Sequence, residues 1–338
     1  MKSVRHFPCG AWNYAKDEIE KVRNNNGILN CDIEITKHCN IQCKFCYSSS
    51  GKPLDNELTL EEIKQVITDA KELGARTVTL TGGEPTIHPQ FFEIVEFIRS
   101  KDMLPQIFSN GTLITKEFAQ TLFKNNVYPC ISIESLNPSV HDNLTGVKGS
   151  FEKTFQAIKN LIEVGYTKEM PLTINAVITK INYNDLEELW KWADQNDIQP
   201  FLLRLIPTGR GLVNNELEVS SEKVKSLVEK IAIEKGYEPS VPYFGDGGCR
   251  KHYMSCFVSV KGFVQTCSAI PVNCGNIKWK SLMSILRESP IIRTMRNIDN
   301  EIIGKCSTCT QKSKCYGCRA IAYAMTGDMF ESDPLCWH

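Results

Sequence analysis

From about residue 28, short apolar runs rich in β-branched residues alternate with stretches whose apolar positions recur every three to four residues. LNCDIEIT (29–36) reads as a strand. TLEEIKQVITDAKELG (59–74) reads as a helix, with Thr59 and Glu62 composing a capping box and Gly74 suiting the C-terminal cap. TVTLT (77–81) is the next strand and runs straight into GGEP (82–85). Helices near 90–100, 115–125 and 151–164 precede the strands LPQIFSN, YPCISIES and LTINAVIT. A further helix, DLEELWKWADQ, capped by Asn184 and Glu187, precedes PFLLRLIP. Six β-then-α alternations with short connections predict an α/β fold with parallel strands and right-handed crossovers. Six units are too few for a closed eightfold barrel, so the expected form is an open, partial (β/α)6 barrel of the TIM type. Chemistry in such folds sits at the carboxyl ends of the strands. The loop after the first strand and GGEP after the second both fall there.

The pattern changes after about residue 240. YFGDGGCRKHYMSCFVSVKGFVQTC contains a hairpin, FVSVKGFVQT, turning at Lys261–Gly262. A helix is expected at about 279–290, followed by KCSTCTQKSKCYGCRA and the closing DPLCWH. The predicted organisation is an extension (1–27), a barrel core (28–238) and a cysteine-rich domain (239–338). That last domain has little regular structure of its own, so bound metal is expected to supply folding free energy.

Charge and composition narrow the class. The 338 residues carry 39 Lys+Arg and 39 Asp+Glu, which leaves no electrostatic footprint for nucleic acid or an anionic membrane. No signal peptide and no membrane-length apolar run is visible, so the expected location is cytoplasmic, where thiols stay reduced. The 15 cysteines then read as metal or cluster ligands and not as disulfides.

The stretch HCNIQCKFCYSSSG (38–51) places Cys39, Cys43 and Cys46 in one loop. Three thiolates can hold three irons of a [4Fe–4S] cube and leave the fourth open. A zinc knuckle borrowing His38 or a distant cysteine is the alternative, but zinc spacings are paired C-x2–4-C and fit an x3-then-x2 run poorly. The C-x3-C-x2-C spacing, with aromatic Phe45 before the last cysteine, resembles the radical S-adenosylmethionine superfamily. The resemblance implies that Cys39, Cys43 and Cys46 hold a [4Fe–4S] cluster whose open iron is chelated by S-adenosylmethionine. One-electron cleavage of that cofactor then gives a 5′-deoxyadenosyl radical that removes a hydrogen atom from an unactivated carbon. It places Gly82, Gly83 and Glu84 at the methionyl amino group, with Thr81 beside them; two glycines there would let a ligand approach closely. Ser109 and Asn110 resemble a ribose-facing segment. Ser132 and Glu134 end the fourth strand, where the family usually carries Asp in place of Glu134. Relatives often hold the carboxylate with an Arg where this chain has Thr145, with Lys148 three residues later; Arg204 is another candidate cation.

Cys249, Cys256, Cys267, Cys306, Cys309, Cys315, Cys318 and Cys336 resemble the SPASM extension of such enzymes, which often holds two auxiliary [4Fe–4S] clusters. The resemblance assigns Cys249, Cys256, Cys267 and Cys318 to one cluster, with Cys274 able to replace Cys256. It assigns Cys306, Cys309, Cys315 and Cys336 to the other. CYGC is one glycine shorter than the usual C-x-G-G-C. Taken alone, C306-x2-C309 and C315-x2-C318 also resemble a zinc ribbon. Cys9, Cys31 and Cys130 read as buried or incidental thiols; a sharper role would be hydrogen-atom donation to a substrate radical.

The expected function is a radical enzyme that matures a ribosomally made peptide or protein, drawing electrons from a flavodoxin or ferredoxin. The roughly 27 residues ahead of the barrel would not make a leader-binding winged helix, which leaves that task to a separate partner protein. The alternative is a small-molecule dehydrogenase, epimerase or decarboxylase acting on an aminocyclitol, sugar, nucleoside or tetrapyrrole. Glu134 and Asp246 are the acid–base candidates. A zinc-stabilised binding module is the rival from another class.

Overall fold

The computed structural model describes residues 10–12, 14–235, 251–312 and 315–338. Cys9, Asp246 and Cys249 lie outside the described residues. Strands β1 (Asn30–Thr36), β2 (Thr77–Gly82), β3 (Leu104–Ser109), β4 (Tyr128–Ser132), β5 (Thr173–Ile178) and β6 (Gln199–Arg204) lie side by side in chain order, every pair parallel. Helices Leu60–Glu72, Phe91–Ser100, Lys116–Lys124, Ser150–Glu163 and Leu186–Gln195 occupy the crossovers. The six expected units are all present.

Strand alternation separates two environments. Ile33, Ile35, Val78, Leu80, Ile107, Ile131, Ile174 and Ala176 face the helices and join Ile63, Ile67, Ile94 and Leu161 in one apolar cluster. The opposite face carries buried polar groups: Asn30, Asp32, Thr79, Gln106 and Asn175. The barrel interior is therefore polar while its jacket is apolar.

Local signals mostly hold. Thr59 Oγ1 accepts from the Glu62 amide at 3.3 Å and Glu62 Oε2 accepts from the Thr59 amide at 2.8 Å, closing the predicted box. The cap expected from Asn184 and Glu187 does not form. A 3-10 turn, Tyr183–Asp185, leads into that helix, so Asp185 at the cap position (φ −94°, ψ −16°) is already helical and a side-chain cap needs extended backbone. Glu187 instead pairs with Lys191 and Lys230.

The cysteine-rich region departs further from expectation. Its hairpin, β7 (Ser255–Val258) and β8 (Phe263–Gln265), turns at Gly262 (φ +83°), and β9 (Gly275–Asn276) follows antiparallel. β7 pairs in parallel with β1, so the sheet runs on through nine strands in the order β6-β5-β4-β3-β2-β1-β7-β8-β9. Short helices such as Leu282–Glu288, Pro290–Arg296 and Arg319–Thr326 add more regular structure than predicted. Tyr253, Met254, Ile270, Met295, Ile298 and Tyr316 give the region an apolar cluster of its own. Ala11, Trp12 and Tyr14 of the extension join it. Trp12 Nε1 donates to Thr79 Oγ1 at 3.3 Å and Thr77 Oγ1 donates to the Ala11 carbonyl at 3.0 Å, so this segment fills the barrel interior from its amino end. Among the described residues no helix is long and apolar enough to cross a membrane.

Candidate functional site

Cys39, Cys43 and Cys46 lie on the loop that follows β1, and neighbouring backbone fixes that loop at several points. The Cys39 amide donates to the Gly51 carbonyl at 2.8 Å and the Gly51 amide to the Lys37 carbonyl at 3.0 Å. The amides of Gln42 and Lys44 donate to the carbonyls of Thr145 and Leu144, both at 2.9 Å. Thr145 thus holds the loop by its backbone. Glu57 accepts from Thr36 Oγ1 at 2.9 Å and from the Lys37 amide at 2.8 Å, which pins the end of β1. On the far side, Arg210 Nε donates to the Cys43 carbonyl at 2.7 Å and Nη1 to the Ser50 carbonyl at 2.8 Å.

The thiol chemistry fits a multinuclear cation. Burial pushes the Cys39 thiol up to about 11, against the Ile41 amide that donates to it, and pushes Cys43 well above its ordinary value. All three thiols feel one another, and Arg210 opposes the shifts at Cys39 and Cys43. Crowded thiols in a low dielectric hold their protons until metal displaces them. Among the described residues no three such side chains close on a single-ion point, whereas a cube takes each thiolate on a different iron.

GGEP is tightly built into the end of β2. A Cβ on Gly82 (φ +152°) would stand 2.3 Å from the Thr36 carbonyl, and one on Gly83 2.1 Å from the His38 carbonyl. The glycines let the end of β2 press against the backbone that leads into Cys39. The Glu84 carboxylate is buried and already occupied. Oε1 accepts from the Thr86 amide (3.1 Å), Thr86 Oγ1 (2.6 Å) and Ser109 Oγ (2.8 Å), and Oε2 accepts from the Asn110 amide (2.7 Å). It ties the end of β2 to the end of β3. Asn110 Nδ2 in turn donates to Asn40 Oδ1 at 2.9 Å, linking β3 to the cysteine loop. Phe45 is half-buried on that loop. Thr81 lies beside the half-buried Tyr47 hydroxyl, which also meets Ser268 of the cysteine-rich region.

Ser132 faces inward, its Oγ donating to Asn175 Oδ1 at 3.0 Å. Glu134 is buried, and burial pushes its carboxyl up to about 8 although the Val177 amide donates to it at 2.8 Å. Its field reaches Cys43, so this carboxyl stands beside the cysteine loop. Arg204 does not. It lies one residue out of register with the inward positions of β6, and its guanidinium donates to the Leu335 carbonyl and to Ser221 Oγ at 3.2 Å. Arg204 therefore anchors the tail that carries Cys336.

Cys306, Cys309, Cys315 and Cys336 form a second group. Cys315 feels Cys336 and Cys306, and Cys336 feels Cys306 and Cys309. The amides of Gln311, Gly317 and His338, each two residues on, donate to the sulfurs of Cys309, Cys315 and Cys336 at 3.4, 3.3 and 3.5 Å. The CYGC turn supplies one of these donors, the Gly317 amide. Cys256 lies apart from the other described thiols of its expected set. It occupies the jacket face of β7 against Cys31, whereas Cys267 and Cys318 pack on the cluster that includes Tyr316. Cys274 also packs against the jacket. Strand parity turns Cys256 away from the side where Cys267 and Cys318 pack.

Arg210, Asn214, Tyr47 and Glu57 were not singled out from the sequence. The readable signal was Gly209–Arg210–Gly211, a cation between two glycines shortly after β6.

Comparison with known proteins identifies the family. The pattern of the Radical SAM superfamily matches residues 33–193, and that of the SPASM iron–sulfur cluster-binding domain matches 249–310. The chain is 31% identical over 334 residues to the AdoMet-dependent heme synthase of Methanosarcina barkeri, covering 90% of this chain and 94% of that protein. It is 28% identical to the mycofactocin maturase MftC of Mycolicibacterium smegmatis, covering 90% of this chain and 81% of that one. The fold superposes on Streptococcus suis SuiB bound to S-adenosylmethionine with a TM-score of 0.73 at 19% identity, covering 97% and 84% of the two chains.

Proposed function

The chain belongs to the radical SAM superfamily and carries a SPASM domain, and from that premise we propose that it oxidises or decarboxylates a side chain of an iron-bearing tetrapyrrole. The observation that carries this reading is the near end-to-end similarity to AdoMet-dependent heme synthases, 31% over 94% of the Methanosarcina barkeri protein. The likeness to mycofactocin maturases favours a peptide as the second reading, but it is lower in identity and covers less of the relative.

When bound, the cluster and S-adenosylmethionine supply one-electron cleavage of a sulfonium and hydrogen-atom abstraction from carbon. The chain's own residues supply the rest. Cys39, Cys43 and Cys46, on the loop at the carboxyl end of β1, would hold the cluster. The backbone at Thr81–Glu84 and Ser109–Asn110 lines the cofactor's side, braced by the Glu84 carboxylate. Glu134, kept protonated by burial, stands ready beside the loop as a proton donor. Cys306, Cys309, Cys315 and Cys336 would hold an auxiliary cluster, which would supply an electron acceptor. With Cys256 and Cys274 packed against the jacket, Cys267 and Cys318 are the members of the other set that share the Tyr316 side among the described residues. A flavodoxin or ferredoxin in the cytoplasm provides the reducing electron.

The test is anaerobic reconstitution with iron and sulfide, then incubation with dithionite, S-adenosylmethionine and Fe-coproporphyrin III. A porphyrin product lighter by carbon dioxide and two hydrogens, formed together with 5′-deoxyadenosine, supports the reading. 5′-Deoxyadenosine without any change in the porphyrin would turn attention to a peptide. Iron near eight or near twelve atoms per chain distinguishes two cubes from three.

A further inference from the structure

Arg210 opens the short helix Arg210–Val213 and grips the cysteine loop along its length. Besides the bonds from Nε to the Cys43 carbonyl and Nη1 to the Ser50 carbonyl, its backbone amide donates to the Cys46 carbonyl at 2.9 Å. Asn214 Nδ2 donates to the Lys44 carbonyl at 2.9 Å and to the Arg210 carbonyl at 3.0 Å. Four carbonyls of the 43–50 loop are thus taken by one five-residue segment. The approach is backbone-close. A Cβ on Gly209 (φ +56°) would stand 2.4 Å from the Tyr47 carbonyl, and one on Gly211 2.8 Å from that of Ile206.

Its charge is the second feature. Both guanidinium bonds go to neutral carbonyls, and among the described residues Arg210 forms no ion pair. Among the described residues no carboxylate pairs with the cation, although Glu84 and Glu134 also bear on Cys39 and Cys43, and the Arg210 Nε stands 2.7 Å from the Cys43 carbonyl. Within a half-buried loop such a charge acts at low effective dielectric. A planar fork fixed on two carbonyls does this differently from a lysine, which is a mobile point charge.

We propose that Arg210 is a positioning residue for the cluster held by Cys39, Cys43 and Cys46: its fork fixes the loop and its unpaired charge favours the reduced cluster. This rests on the trio being the ligands. An added electron makes the cluster more negative, so a fixed cation nearby stabilises the reduced form more than the oxidised one.

The experiment is an EPR-monitored redox titration of the reconstituted full chain, paired with the rate at which a chelator strips iron. The trio's signal is identified as the one absent from the Cys39/Cys43/Cys46→Ala variant. Arg210→Gln is expected to disfavour reduction about tenfold, a midpoint about 59 mV more negative for one electron. Arg210→Lys is expected to keep the wild-type midpoint while losing iron several-fold faster, because charge survives and the fork does not. A wild-type midpoint in Arg210→Gln overturns the proposal, and a purely structural role would give that result. If Arg210→Gln holds no trio cluster, Arg210→Lys decides: faster iron loss at an unchanged midpoint supports the proposal, and wild-type iron retention overturns it. A triple-alanine variant that keeps all its iron overturns the ligand assignment and the proposal with it, a failure that appears without touching Arg210.

Discussion

Cys31 and Cys256 face each other at one register position of β1 and β7, sulfur to sulfur at 3.8 Å. Both are buried among helix-facing aliphatic residues. Cys256→Ala is therefore expected to leave the iron content of the reconstituted chain unchanged and to cost about 1 kcal/mol of stability from the small void. Cys306→Ala should lose about four irons instead. Iron analysis of the two variants side by side checks the assignment, and iron loss in Cys256→Ala would refute it.

Arg204 reaches the auxiliary group through the tail. Its guanidinium and Ser221 Oγ both donate to the Leu335 carbonyl, one residue before Cys336. Arg204→Ala should loosen Cys336 and lower iron by up to about four atoms, while S-adenosylmethionine cleavage persists. Cleavage abolished with iron intact would instead place Arg204 at the cofactor.

The close approach at Gly83 makes a sharp substitution test. Gly83→Ala must displace the His38 carbonyl, next to the first cysteine, and is expected to cost about 1–3 kcal/mol and to impair cluster assembly at the trio. Gly51→Ala, with nothing within 4 Å of its added Cβ, is the control in the same loop and should assemble normally. Equal iron uptake by the two variants would contradict the backbone contact.

Glu134 gives a pH dependence of definite sign. Burial raises its carboxyl from 4.5 to about 8 in the folded chain. Below about pH 4.5 both states hold the proton and nothing is lost. Between about 4.5 and 8 the unfolded chain releases it and the folded chain does not, so stability falls as pH rises and levels off above about 8. Glu134→Gln keeps an acceptor for the Val177 amide and should flatten this slope. Urea unfolding of the cluster-free chain across that range reads it directly, and parallel slopes in the two proteins would contradict it.

Much of the architecture was legible because it is local. The six strands, their crossovers, the Thr59–Glu62 box and the hairpin turn at Gly262 follow from apolar period and capping chemistry within a few residues. The cysteine trio shows as a spacing within one loop, whereas the grouping of Cys306, Cys309, Cys315 and Cys336 is what the family resemblance implies. Contacts of long sequence separation were not. Nothing in SCFV reveals that β7 joins β1 across 225 residues, yet that register decides which face Cys256 takes. Nothing in LLRLIPTGRG reveals that Arg204 points to the tail while Arg210, six positions on, grips the cysteine loop. Strand parity and the path of the chain after β6 decide that. Residue type determined the chemistry available to this protein, and only the tertiary pairing of distant backbone decided which thiols and cations share a site, because a side chain's direction depends on the neighbour its strand finds.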